Sequence, residues 1–167
     1  MSLLFKSLKI RGLTIRNRII ASPMCQYHSV DGAPTEWQLL HLGRLAIGGC
    51  GVVFGEETAV EPDGRKTHGC AGLYKQSHIA AYRELTDMIR SHGALPAIQL
   101  GHSGRKGSCH GALQEWQALT NADVANGLPP WQVMTPTAAI SPPRPIPHKE
   151  MDQNDSWARC CHSWLKT

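Results

Sequence analysis

Short apolar runs alternate with stretches of helical periodicity along the first hundred residues. The runs at 18–22, 51–55 and 95–100 have the length and composition of strands buried on both faces, as in a parallel sheet. Between them, apolar side chains recur at helical spacing over 35–47 and 77–91. Each connection exceeds the dozen residues that a parallel crossover needs. The order therefore predicts an α/β fold of right-handed βαβ units.

Local signals place the ends of these elements. Thr35 followed by Gln38 is a capping-box pattern that predicts the start of the first helix, and Gly48-Gly49 predicts its end. Ser77 is the candidate cap of the second helix, which closes at His92-Gly93. Upstream, residues 3–17 alternate around Arg11-Gly12, which indicates a small hairpin.

The strand at Ile19–Ala21 ends in an unusual cluster of functional groups. Pro23 cannot donate to a central ladder, so the strand should stop there, and Met24-Cys25-Gln26-Tyr27 follow at once. Read alone, this is equally well a buried strand ending in an ordinary turn. All three predicted strands end in polar side chains, however, and α/β folds hold their ligands at that edge of the sheet. The three pairs are Ser22/Cys25, Glu57/Thr58 and Gln99/His102.

Other segments carry weaker signals. Residues 60–76 form a long loop with Pro62-Asp63-Gly64 as its turn. Gly101–Lys106 lacks the spacings of a Rossmann or phosphate-binding loop, and His102, Cys109 and His110 lack the spacing of a metal site, so we predict no metal. Periodicity fades after residue 107, and 129–147 hold seven of the eleven prolines, which favours extended or turn structure.

Composition narrows the class of protein. The 167 residues suffice for one domain but fall short of the roughly 250 of an eight-stranded (β/α) barrel. The net charge of +4 comes from scattered basic residues, which argues against nucleic acid as a partner. We see neither a membrane span nor a signal peptide and expect a soluble, cytoplasmic protein. The six cysteines form no C-x-x-C pair, so we expect free thiols.

Three motifs together resemble the old yellow enzyme family, in its bacterial-type branch of ene-reductases and xenobiotic reductases that carry a cysteine beside the flavin. They are Ser22–Tyr27 (SPMCQY), Glu57–Arg65 (ETAVEPDGR) and Gln99–Lys106 (QLGHSGRK). Two later segments, 134–138 and 147–151, are similar to the stretch that leads that family into its third helix. The resemblance covers roughly residues 4–151.

The resemblance implies a (β/α)₈ TIM barrel with FMN at its C-terminal mouth, of which this chain holds only the first three or so β/α units. In that family NAD(P)H reduces the flavin, which gives hydride to an activated alkene such as an enone or a xenobiotic. Ser22, Pro23, Met24 and Cys25 would line the isoalloxazine, Ala59 and Gln99 would touch it, and Tyr27 would contact substrate. Cys25 would tune the flavin's potential. Members are often homo-oligomeric.

The expected catalytic groups have no counterpart here. The family's substrate-binding histidine pair, proton-donor tyrosine, flavin-contacting arginine and phosphate site follow later in its sequence, so no catalytic residue is assigned. We divide the chain into 1–151, the N-terminal part of an FMN-binding barrel, and 152–167, a tail that matches nothing in the family. A truncated, frame-shifted or mis-predicted gene is the expected cause. The leading hypothesis is an FMN-dependent ene-reductase or NADPH dehydrogenase, and the alternative is a non-catalytic remnant or assembly partner of the same ancestry.

Overall fold

The chain opens with an antiparallel hairpin and continues into a parallel sheet. A computed structural model describes residues 2–135 and 148–150. Strands β1 (Leu8–Ile10) and β2 (Leu13–Ile15) pair antiparallel, as the alternation around Arg11-Gly12 predicts. Strands β3 (Ile20–Ala21), β4 (Val52–Ala59) and β5 (Leu95–Gly101) form a three-stranded sheet in that order, and both pairings are parallel. The predicted α/β order is confirmed.

Two helices cross between the strands. Helix α1 (Glu36–Ile47) begins after Thr35 with the predicted capping box, in which the Gln38 side chain accepts the Thr35 amide at 2.8 Å. Helix α2 (His78–Ser91) ends at His92 and Gly93, and Gly93 has φ of 74°. Ser77 is wrongly predicted as a side-chain cap: its own backbone is already helical, and its hydroxyl makes no capping bond.

The core lies where both helices pack on the sheet. The helices contribute four buried apolar side chains, and β4 and the residue just before β5 contribute two more: Leu42, Ala46, Leu85, Ile89, Val53 and Ala94. Arg16, just after β2, links the hairpin to the C-terminal ends of both helices. Its guanidinium donates to the carbonyls of Ala46 at 2.7 Å and His92 at 2.6 Å, at the C-terminal ends of α1 and α2.

Two strand predictions need correction. Ile19–Ala21 is not buried on both faces: β3 pairs through only two residues at an edge of the sheet, and Ile20 is 50% exposed. Residues 56–59 do not follow the second strand but belong to it, because β4 runs on to Ala59 past an irregularity between Gly55 and Glu57. The other edge, β5, leaves Leu100 53% exposed.

Beyond β5 the described chain is mostly loops and 3₁₀ turns, as the fading periodicity predicts. Turns occupy Ala112–Gln114 and Asn121–Asn126, and strands β6 (Val133–Thr135) and β7 (His148–Glu150) pair in parallel. Within the described residues, no helix combines the length and apolar character that crossing a bilayer requires. The predicted boundary at residue 151 and the tail 152–167 lie outside the described residues.

Candidate functional site

The three strand ends meet at one edge of the sheet, as predicted. Glu57 on β4 is the register partner of Gln99 on β5, and Ala59 is the partner of Gly101. Cys25, four residues beyond β3, lines a cavity of about 10 Å³ together with Glu57 and Ala59. Parallel strands bring their carboxyl ends to the same side of a sheet, which explains why segments far apart in sequence converge here.

Lys66 brings a positive charge into this cavity. It comes from the loop after β4, and its ammonium forms an ion pair with the Glu57 carboxylate; both side chains are about three-quarters buried. Burial raises the pKa of the half-buried Cys25 thiol, and the nearby Lys66 charge opposes that effect. The negative charge of Glu56 and the neighbouring Cys70 thiol add to the increase. Cys25 is therefore held mainly as a neutral thiol at pH 7.

Tyr27 stands between Cys25 and a larger cavity. It has φ of 58°, in the left-handed region that non-glycine residues seldom adopt, and its ring meets Trp116 edge-on at 5.5 Å. The cavity beside it measures about 490 Å³ and is also lined by His68 and His110. Burial, with the neighbouring Cys25, raises the pKa of Tyr27 far above its ordinary range. The phenol is thus a hydrogen-bond donor at every physiological pH.

The remaining predicted contacts divide between this edge and its surroundings. Gln99 is exposed near the end of β5. Within the described residues its side-chain amide has no hydrogen-bond partner, and neither does the Ser22 hydroxyl. Ala59 is 3% exposed, and its amide donates to Ala71 O at 2.9 Å. Met24 instead lines a cavity of about 20 Å³ on the helix side of β4, with Glu56 and Tyr82.

This donor set fits the ring of a flavin. An isoalloxazine needs an apolar surface for its flat face and a few placed donors and acceptors at its polar edge. Ala59 is an apolar, nearly buried residue of β4, the unpaired side-chain amide of Gln99 lies on the neighbouring strand, and the Cys25 thiol lines the same cavity as Ala59. The residues present at this edge are therefore of the kinds that FMN binding uses.

The glycine-rich segment after β5 has a structural role. His102 contacts Glu61 at 2.8 Å through Nε2 and accepts the Gly104 amide at 2.9 Å through Nδ1, which fixes the turn that follows. His110 contacts Asp123 at 3.0 Å. Over residues 2–135 and 148–150, no group of three histidine, cysteine or acidic side chains could hold a metal ion. Among the described residues, Cys25, Cys50, Cys70 and Cys109 form no disulfide.

Sequence reasoning missed several residues around Cys25. Lys66 and Cys70 lie in the loop 60–76, where no periodicity indicates which side chains turn inward. Glu56 and Gln38 are both buried, at 5% and 3% exposure. The sequence pattern places Glu56 only after a strand and Gln38 only in a capping box, so it does not indicate that either side chain is buried. The adjacent acids Glu56-Glu57 were the available signal, because successive residues of a strand face opposite sides of the sheet.

Comparisons with known proteins agree with this geometry. The family model described as the NADH:flavin oxidoreductase / NADH oxidase family matches residues 3–154. An NADPH dehydrogenase of Geobacillus sp. is 39% identical over 114 residues, which are 67% of this chain and 34% of that protein. The chain thus spans about a third of the length of the curated relatives it matches.

Solved structures show the same fold. The 2-naphthoyl-CoA reductase complex with 2-naphthoyl-CoA aligns with a TM-score of 0.72 and 26% identity over 90% of this chain and 22% of that one. The old yellow enzyme from Trypanosoma cruzi aligns with a TM-score of 0.57 and 28% identity over 63% and 28%. These neighbours are TIM barrels, and the three-stranded parallel sheet corresponds to the first units of that barrel. The chain belongs to the NADH:flavin oxidoreductase / NADH oxidase family, whose members include the old yellow enzymes.

Proposed function

We propose that this chain supplies the flavin-facing part of an FMN-dependent NAD(P)H oxidoreductase that reduces activated C=C bonds. The observation that carries the proposal is the meeting of Cys25, Ala59 and the unpaired amide of Gln99 at one edge of a parallel sheet. Family membership and the names of the relatives, NADPH dehydrogenases among them, support the same reaction class. The substrate class we assign is a small activated alkene.

In this proposal each residue of the edge has a separate task. FMN, reduced by NAD(P)H, supplies the hydride. Ser22, Pro23 and Cys25 would line the ring, and Met24 would do so through its backbone, because its side chain lines the cavity on the helix side of β4. Ala59 would lie against the ring, and the Gln99 side-chain amide would pair with its polar edge. Cys25 acts as a neutral thiol that tunes the cofactor through a hydrogen bond, and it is not a nucleophile.

Tyr27 contacts the substrate in this scheme. Its phenol stays protonated, since burial raises its pKa, and it borders the cavity of about 490 Å³ that extends away from Cys25. A volume of this size lies within the range of small-molecule sites. The donated hydrogen bond would orient an activating carbonyl, and proton donation is assigned to none of the described residues.

Several properties accompany the proposal as predictions of the sequence. Residues 1–151 form the N-terminal part of the FMN-binding barrel, and 152–167 form a separate tail. We expect a cytoplasmic location, and we expect homo-oligomers because members of the family often assemble in this way. The second candidate function is a non-catalytic remnant or assembly partner. The exposed sheet edges at Ile20 and Leu100 favour it, because an open edge can pair with a strand of another chain.

The experiment that tests the proposal is protection of Cys25 from alkylation by FMN, in the dark, with each cysteine resolved by mass spectrometry. FMN at about 1 mM, where binding of only about −4 kcal/mol is detectable, should slow alkylation of Cys25 and leave Cys50 unaffected. Adenosine, another planar heterocycle, should protect neither. Gln99→Ala should weaken the protection. Unchanged Cys25 alkylation with FMN would contradict the proposal.

A further inference from the structure

The segment 24–29, between β3 and α1, is held in place by contacts with the start of α1. Trp37 Nε1 donates to the Gln26 side-chain carbonyl at 3.2 Å, and the Trp37 ring stacks on His28 at 4.4 Å. Thr35 Oγ1 donates to His28 O at 3.0 Å. The first turn of α1 therefore fixes the course of the chain that carries Cys25 and Tyr27.

The same segment also contacts a buried carboxylate, that of Glu56. Glu56 is 5% exposed, and its two oxygens have different partners. Oε2 accepts the backbone amide of Gln26 at 2.9 Å, and Oε1 accepts Nε2 of Gln38 at 3.1 Å. Charge-assisted bonds of this kind are stronger than neutral ones, and a buried carboxylate without them is costly.

The direction of each bond is fixed by the next one. Gln38 Oε1 accepts the backbone amide of Thr35, so its Nε2 must be the atom that faces Glu56 and the Ser29 hydroxyl. The Gln26 amide is a donor as well. Glu56 thus receives one donor at each of its two carboxylate oxygens, an arrangement that a side-chain amide in the same position does not reproduce.

Part of this segment is strained and stays in place only because its surroundings hold it. Tyr27 has φ of 58°, and the backbone carbonyl of Tyr27 lies so close to Gly69 that a Cβ there would approach it to 2.2 Å. A left-handed residue persists where its surroundings hold it. The Ser29 amide donates to Gly69 O at 3.0 Å on one side, and Glu56 holds Gln26 on the other.

We propose that Glu56 is a positioning residue: through the Gln26 amide and the Gln38 side chain, its carboxylate sets where Cys25 and Tyr27 lie at the strand edge. The role of those two residues toward flavin and substrate rests on the proposed function, but their placement by Glu56 does not. The inference is therefore tested on the chain itself, without FMN.

The test is Glu56→Gln, an isosteric change that removes one acceptor and one charge. The new amide meets either Gln38 Nε2 or the Gln26 amide with a donor, so one bond of the pair is lost. We measure the pH midpoint of Cys25 alkylation and hydrogen exchange of the Gln26 amide. The charged or titratable groups acting on Cys25 are Lys66, Glu56, Tyr27 and Cys70.

Loss of the Glu56 charge and loosening of the segment both favour the Cys25 thiolate. We expect the midpoint to fall by about half a pH unit, which is roughly a threefold faster reaction at pH 7.5, and the Gln26 amide to exchange faster. Glu36→Gln, an equal charge change on the exposed first turn of α1, should change neither. A folded Glu56→Gln chain with both readouts unchanged would overturn the proposal.

Gln38→Met separates geometry from charge and covers the case in which Glu56→Gln does not fold. It removes the Nε2 donor to Glu56 Oε1 and keeps both the Glu56 charge and the bond from the Gln26 amide. If Glu56 positions the segment with the help of Gln38, exchange of the Gln26 amide rises with a smaller change in the Cys25 midpoint. Unchanged exchange in this variant would show that the Gln38 bond does not hold Glu56 and the segment in place, which also overturns the proposal.

Discussion

The ammonium of Lys66 pairs with the carboxylate of Glu57 inside the cavity that also holds the Cys25 thiol. The pair joins the loop after β4 to β4 itself, directly beside the strand edge where the predicted flavin contacts meet. It has two consequences, one for the reactivity of Cys25 and one for stability.

Lys66→Met should raise the pKa of Cys25, because it removes the positive charge that opposes the effect of burial. Alkylation of Cys25 at pH 8 should slow severalfold, and the unpaired Glu57 should lower the free energy of unfolding by roughly 1–3 kcal/mol. Lys75→Met is the matched control, since its ion pair with Asp31 lies at the exposed surface. Faster Cys25 alkylation in Lys66→Met would contradict this prediction, because it would mean that the Lys66 charge does not lower the pKa of Cys25.

Tyr82→Phe tests the buried hydroxyl on the helix side of β4. The Tyr82 hydroxyl is buried and makes no hydrogen bond of good geometry within the described residues, although Thr58 lies beside it. Removing an unsatisfied hydroxyl relieves its desolvation cost, so we expect the free energy of unfolding at pH 7 to rise by about 1 kcal/mol. Chemical denaturation measures it, and a loss of stability would show that the hydroxyl has a partner.

The same residue predicts how stability depends on alkaline pH. Burial raises the pKa of Tyr82 to about 12, above its ordinary value of 10.0. Between these values the unfolded chain loses the phenolic proton first. The contribution of Tyr82 to the free energy of unfolding is therefore complete below pH 10 and is lost as pH rises toward 12, by up to about 1.4 kcal/mol per pH unit. Tyr82→Phe should flatten this slope in denaturation curves from pH 9 to 11. An unchanged slope would assign the loss to other groups.

Gly69→Ala tests the close approach that supports Tyr27. A Cβ at Gly69 would lie 2.2 Å from Tyr27 O, and backbone cannot move aside as a side-chain end can. We expect a loss of roughly 1–3 kcal/mol in the free energy of unfolding and a faster reaction at Cys25 as the segment shifts. Gly12→Ala, where a Cβ meets nothing within 4 Å, is the control.

Much of this fold could be predicted from sequence, because strong local signals and tertiary packing agree. The capping box at Thr35 and Gln38, the closing glycine at Gly93 and the alternation around Gly12 each fix backbone geometry locally. Ser77 failed as a cap since the preceding chain already enters a helical turn there.

The site was predictable only as far as strand order reaches. Parallel strands place Cys25 and Gln99 at one edge, so their proximity followed from topology. The inward turn of Lys66 and Cys70 from a long loop, and the left-handed backbone of Tyr27, depend on contacts between distant residues. No local pattern in the sequence carries that information.

The chain by itself should bind FMN weakly and should not turn over enones. The resemblance to the family implies a phosphate site in segments without a counterpart here, and loss of even two charge-assisted bonds to phosphate weakens affinity on the order of a hundredfold or more. Flavin fluorescence quenching and NADPH oxidation with cyclohexenone measure both properties. Tight stoichiometric FMN with enone-dependent turnover would show that this chain holds a complete site.

The most direct test of the central claim is the flavin content of a completed barrel. This chain, up to its last matched residue, is fused to the part of the Geobacillus sp. NADPH dehydrogenase that lies beyond its matched third, and the purified chimera is assayed for bound FMN. We predict about one FMN per chain, enone-dependent NADPH oxidation, and a shifted flavin potential with residual turnover in Cys25→Ala. A folded chimera that binds no flavin would contradict the claim that this strand edge is a flavin site.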